Sequence, residues 1–290
     1  MTKFRPAFCL SLGVALVCGL TLVSNSVRAQ PVDCPVTFTE LENALTAVAP
    51  DFTEGNGGLK NNMWATVVNR EGIVCNVTRT DELNAQWPLS RAISAQKAHT
   101  AWSLSLDMGT GGTVDALSTA NLWAATQPGG SLWELTQSNP VDTASAYSGN
   151  FNNYGTASDP LVGERMGGVN VFGGGLALYD MDGTIAGAVG VSGDTSCADH
   201  NIAWRVRDVL GLDFVPSGVG PLGGTVADNI IYDIQSVRGG HANHPATVST
   251  TGFGHPTCGF GEDAANATIV AFCPIGLNVG GEDCVTLSIP

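Results

Sequence analysis

Residues 173–207 constrain this chain more than any other stretch, because they read as a hairpin, a glycine-bearing turn and a capped helix without interruption. Asp182-Gly183 lies between the apolar runs Leu176–Tyr179 and Thr184–Val191, a short-range hairpin signal. Gly190-Val-Ser-Gly193 ends the second run with residues that tolerate close backbone approach. Ser196 and Asp199 have the spacing of a hydroxyl N-cap with an acid three residues on, so both read as helix-capping, structural residues, as do Gly190 and Gly193. Ile202, Val206, Val209 and Leu210 follow at helical spacing, with Gly211 placed to end the helix.

Upstream, Phe38, Leu41, Leu45 and Val48 mark a helix over 37–48. Trp64–Val68 and Ile73–Thr78 flank Asn69-Arg-Glu-Gly72 as a second hairpin. Ser90–Leu106 is a strong helix with an alanine-rich middle. Shorter helices are expected over 115–126 and 132–136, and 138–168 reads as a long surface loop. Segregated hairpins and helices in this order indicate an α+β class, with helices packed on an antiparallel sheet.

Both ends differ in character. Lys3 and Arg5, an apolar run from Ala7 to Val23, and Val27-Arg28-Ala29 make residues 1–29 a secretory signal peptide, cleaved near Ala29. The protein is then expected in the periplasm or secreted, with no stable membrane span in the mature 30–290 chain. Residues 213–290, rich in Gly and Pro at their start, read as a loop-rich C-terminal extension. It would wrap the 30–212 domain or a neighbouring subunit. Strands are expected near 230–234, 268–273 and 284–289.

The full chain carries 12 basic and 26 acidic residues; removing the leader takes three basic residues and no acid, leaving a formal charge of −17. That surface argues against nucleic acid as a partner. Cys34, Cys75, Cys197, Cys258, Cys273 and Cys284 remain, and six cysteines in an exported chain suggest disulfides, with fifteen full pairings open. Cys197 with Cys258 is the pairing suggested by their places beside the closing helix and the wrapping arm.

Four segments resemble the GlcG/HbpS family of haem-binding, so-called haem-degrading, domains. They are Ala65–Gly72, with Asn69 where Asp is usual; Ser90–Ala101, with a Lys97-Ala-His-Thr-Ala core; Gly173–Leu178, with Ala177 in place of the usual proline; and Gly187–Gly193 followed by Asp199. The resemblance covers roughly 34–212. It implies a profilin-like α+β layer, assembly as a homo-oligomer, and binding of haem or a related ligand.

Several side chains are candidates for chemistry. His99, mid-helix with Ala92, Ala95, Trp102 and Leu106 on its face, is either a haem-iron ligand or a core histidine bonded to a carbonyl. His200 and Arg207 share a face with Trp204; the arginine would pair with a carboxylate of haem or substrate, or with the extension. His241, His244 and His255, with Cys258 close by, have the spacing of a metal site, set against a plain loop. Lys97 reads as solvated. Ser192 lacks the full nucleophile-elbow pattern, and a hydrolase is rejected.

The expected function is an exported protein that binds haem, or another tetrapyrrole, for sequestration, transport or sensing. A metal ion is a further candidate cofactor. One alternative is an enzyme on the same fold acting on a small organic acid or aromatic compound through Arg91, Arg207 and His99. The other is an oligomeric scaffold without a ligand. No catalytic pair stands out, which favours a binder over an enzyme.

Overall fold

In the computed structural model, residues 33–49, 55–111, 113–219, 227–237 and 246–276 are described. The expected leader, His241, His244 and Cys284 lie outside them. Helix α1 (Phe38–Val48) starts at Thr37, which exchanges side-chain and backbone hydrogen bonds with Glu40 in a capping box. Strands β1 (Trp64–Asn69) and β2 (Val74–Arg79) form the first hairpin, and α2 (Ser90–Ser103) follows. Three one-turn helices come next: α3 (Trp123–Thr126), α4 (Leu135–Ser138) and α5 (Thr143–Ala146). Strands β3 (Gly175–Tyr179) and β4 (Ile185–Ser192) make the second hairpin, whose turn depends on Gly183 at φ 70°. Helix α6 (Ser196–Val209) closes this unit.

The four strands form one antiparallel sheet in the order β2-β1-β4-β3, so the two hairpins meet through β1 and β4. The sheet is covered on both faces, which is why β1 reads as a continuous buried run instead of an alternating one. Ala65 and Val67 point into a core with Leu41 and Leu45 of α1 and Ile202 and Val206 of α6. Trp64 and Val68 point the other way, against Ala92, Ala95, Ala98 and Ala101 of α2. The architecture is thus α+β, an antiparallel sheet between helical layers.

Alanines at three-residue spacing bring α2 very close to β4. A Cβ on Gly190 would lie 1.9 Å from the Ser94 carbonyl oxygen and 2.5 Å from the Ala98 nitrogen. Gly193 has a comparable limit, 2.5 Å from the Asn62 carbonyl oxygen. These glycines make room for backbone.

Three sequence expectations change here. The 138–168 stretch is no surface loop: Ala146, Leu161 and Met166 are buried against α2. Its anchor is Asp159, which receives Arg91 Nε at 2.9 Å and the backbone N–H groups of Gly155 and Leu161. The expected strand over 268–273 belongs instead to helix α7 (Glu262–Phe272), because Ile269 packs into the core beside α6. Finally, α2 ends at Ser103, so Leu106 lies beyond it and is exposed.

Among the described residues after 212, helix α7 and Asp228 lie against α6. Strands β5 (Ile234–Val237) and β6 (Ala246–Ser249) form a small antiparallel pair. Trp204 Nε1 donates to the Cys273 carbonyl at 3.0 Å, and Asn266 Nδ2 donates to Asn201 Oδ1. Disulfides join Cys34 to Cys75 and Cys197 to Cys258, and Cys273 is also disulfide-bonded. Among the described residues, no helix is long and apolar enough to cross a membrane.

Candidate functional site

The C-terminal end of α2 forms one wall of a cleft of about 440 Å³, contributing His99, Ser103 and Leu104. Leu135 to Pro140, around the end of α4, and Gly167 to Val169 complete it. The glycine segment is fixed in place: Val141 pairs with Gly167, and Asn170 donates its backbone N–H to Thr100 Oγ1 at 3.0 Å. The volume is in the range of small-molecule pockets, roughly 300–1,000 Å³.

His99 is half-buried, and burial pushes its pKa below the usual imidazole value, so the ring is neutral at pH 7. Its Nδ1 is buried and has no hydrogen-bond partner. Nδ1 of His200 is likewise buried and unpartnered, and what sets His99 apart is its place on the cleft wall. Trp102 flanks the ring with centroids 5.4 Å apart, held by its own Nε1 donating to the Arg70 carbonyl. A neutral imidazole with an uncommitted nitrogen is the donor that iron and other borderline metals take.

His200 and Arg207 do not line this cleft. Both are fully buried. His200 Nε2 accepts the Ile230 N–H at 3.1 Å and lies 3.2 Å from Asn229 Oδ1. Burial pushes its pKa down to about 3. Arg207 pairs with both oxygens of Asp228, at 2.6 and 2.9 Å, and its guanidinium lies over the Trp204 ring. Of the alternatives open for this arginine, contact with the extension is the one the geometry displays. Arg91 is likewise committed to Asp159 and stacks on Tyr154.

Lys97 is a correction. It is 0% exposed, and its Nζ donates to Asp199 Oδ2 at 2.6 Å and to the Val191 carbonyl at 2.9 Å. Position 97 faces the end of β4 and the first turn of α6, which take its ammonium out of solvent. Ser196 and Asp199 are corrected with it. The N-cap of α6 is Thr195, whose Oγ1 accepts the Ala198 N–H. Asp199 therefore serves the buried lysine, and Ser196 Oγ accepts the Gly173 N–H at 2.7 Å.

His255 meets Ser196: its Nε2 is 2.7 Å from Ser196 Oγ, and its Nδ1 donates to the Pro256 carbonyl at 2.7 Å, while His241 and His244 lie outside the described residues. Burial pushes this pKa down to about 4. The pair has the spacing of a nucleophile and its base. However, the next two backbone N–H groups are already engaged, Cys197 with Cys258 Sγ and Ala198 with Thr195 Oγ1. Neither is left to stabilise an oxyanion.

Several known proteins are similar to this chain. A Klebsiella pneumoniae protein, ORFY, is 26% identical, with 66% of this chain and 97% of that chain covered and a TM-score of 0.39. A structure described as a PduOC:haem complex is 21% identical over 60% of this chain and 94% of that one, with a TM-score of 0.39. HbpS is 16% identical over 63% and 94% of the two chains, with a TM-score of 0.37. No curated protein matches the chain. A family model described as haem degrading protein HbpS-like matches residues 41–207, more than half of the sequence, and the chain belongs to that HbpS-like family.

Proposed function

We propose that this protein binds haem, or a closely related tetrapyrrole, noncovalently in the His99 cleft. The observation that carries the reading is the buried, unpartnered Nδ1 of a neutral His99 beside a cleft of ligand size. Membership of a family described as haem-degrading supports it. His99 would hold the haem through its imidazole, with Leu104, Leu135, Pro140 and Val169 as the apolar lining and Trp102 beside the imidazole ring. Bound haem would supply the iron; the chain would supply ligation, shape and exclusion of water. Ser103, Ser138 and Asn139 are the cleft's polar side chains and would meet the edge that carries the carboxylates.

The role we assign is sequestration, transport or sensing outside the cytoplasm, after cleavage near Ala29. The disulfides Cys34–Cys75 and Cys197–Cys258 support an oxidising compartment. An enzyme acting on a small organic acid would use Arg91, Arg207 and His99. Two of these are committed to Asp159 and Asp228, which favours the haem reading. Assembly into a homo-oligomer is part of the proposal and is read by light scattering with and without haem.

Absorbance titration of ferric haem into the mature protein tests the reading. A saturable Soret shift at one haem per chain is expected. Unsaturable, linear absorbance overturns it.

A further inference from the structure

We propose that Cys197, Cys258 and His255 form a thiolate–imidazole site for a zinc-class cation, closed by their disulfide and opened by a dithiol reductant. The site is separate from the His99 cleft and does not depend on haem binding.

One ligand atom from each of the three residues lies within 4.8 Å of the other two. Tetrahedral zinc, with bonds near 2.3 Å to sulfur and 2.0–2.1 Å to nitrogen, needs S···N spacings of about 3.6 Å and an S···S spacing of about 3.8 Å. Cys197 Sγ is 3.9 Å from His255 Nδ1, so the nitrogen already stands close to its place. Only the sulfurs, bonded at 1.99 Å, must part. Cys258 can supply that movement. It sits in a loop between exposed Thr257 and Gly259, and a Cβ on Gly259 would meet nothing within 4 Å.

The surroundings favour the charged, metal-binding form of the sulfurs. Cys197 is in the first turn of α6, and its backbone N–H already points at Cys258 Sγ at 3.3 Å. Helix starts stabilise thiolates through such groups. His255 is 2% exposed, and its ring is held between Ser196 Oγ and the Pro256 carbonyl. In the disulfide form its proton is on Nδ1, facing the Pro256 carbonyl. For Nδ1 to bind a cation, the proton moves to Nε2. Ser196 Oγ, 2.7 Å away, then accepts where it had donated, and keeps the ring oriented.

The chemistry balances. A dithiol gives two electrons and two protons to the Cys197–Cys258 disulfide and becomes a cyclic disulfide itself. Cation binding then releases the two thiol protons to water, and imidazole binds through its lone pair. The fourth position is left to water or a small anion.

The test is a cobalt(II) titration of the mature protein, oxidised and after anaerobic reduction with the dithiol removed, beside His255→Ala and Cys197→Ser. Near-ultraviolet circular dichroism follows the fold throughout. Reduced wild type should bind one cobalt per chain, with thiolate-to-cobalt charge-transfer and tetrahedral d–d bands that zinc abolishes. The oxidised protein should show none. His255→Ala should weaken binding by more than about tenfold, and Cys197→Ser, which keeps one thiolate, should lose at least about half of the charge-transfer intensity and bind more weakly. Equal binding by the oxidised protein or by either variant overturns the proposal. So does a reduced wild type that binds no cobalt, or one that loses its near-ultraviolet signal and does not regain it with cobalt.

Discussion

Lys97 and Asp199 form a fully buried ion pair, with Nζ 2.6 Å from Oδ2 and side chains 0% and 3% exposed. The pair joins α2 to α6 past the end of β4, whose Val191 carbonyl takes a second lysine hydrogen bond. Asp199 Oδ1 also accepts the Asp194 N–H, so the carboxylate fixes the turn that leads into α6. Removing one partner strands the other charge in a low-dielectric interior. Lys97→Met should therefore lower unfolding free energy by about 3–5 kcal/mol, and Lys97→Met with Asp199→Leu should recover part of that loss. Urea denaturation of the single and double variants measures both; a single-variant loss under about 1 kcal/mol contradicts the structural role.

Gly190 sets how closely α2 packs on β4. With a Cβ placed 1.9 Å from a backbone oxygen, no side-chain rotation relieves the contact. Gly190→Ala should cost about 1–3 kcal/mol by forcing the helix outward. Because α2 carries His99, the same variant should weaken haem binding more than Gly211→Ala, which meets nothing within 4 Å and is strained only through its φ of 65°. Thermal melts and haem titrations of the two variants provide the comparison.

Two buried histidines give stability a defined pH dependence. Burial pushes His255 down to about 4 and His200 down to about 3, whereas an unfolded histidine titrates near 6.5. Between those values the unfolded chain binds more protons, so these residues make stability fall as pH drops from about 6.5 through 4. Burial raises the carboxyls of Asp199 and Asp213, which act in the opposite sense. The decisive quantity is therefore the difference between wild type and His255→Asn. It should rise with pH by up to about 1.4 kcal/mol per unit between 4 and 6.5, then level off. A flat difference across that window contradicts the buried neutral state.

Ser103 lines the cleft while remaining exposed at the end of α2. Ser103→Trp should fill the cleft and reduce haem affinity by about tenfold or more, with stability changed by under about 0.5 kcal/mol. Unchanged affinity would move the ligand elsewhere on the surface.

Much of this fold is legible in the sequence where local signals act alone. Asp182-Gly183 and Asn69 to Gly72 mark their turns directly, because turn chemistry is local. The 268–273 run misleads because Thr268, Ile269 and Val270 favour strands. Acidic Glu262 and Asp263 in the first turn, and the packing of Ile269 beside α6, decide for a helix. Buried Leu161 and Met166 follow no period, so 138–168 offers no pattern to read. The fate of the charged residues is set by partners far along the chain. Lys97 meets Asp199, Arg91 meets Asp159 and Arg207 meets Asp228, and no spacing rule links such positions. His99 stands out from sequence alone, but its unpartnered nitrogen and the cleft beside it depend on residues 135–140 and 167–169.

His99 is the group proposed here to take haem iron. Ferric haem titrated by absorbance into wild type and His99→Ala, side by side, tests it most directly. Wild type should bind saturably, with a Soret band that moves and an affinity that falls by at least about tenfold in His99→Ala. An identical band position and affinity in the two proteins would contradict it.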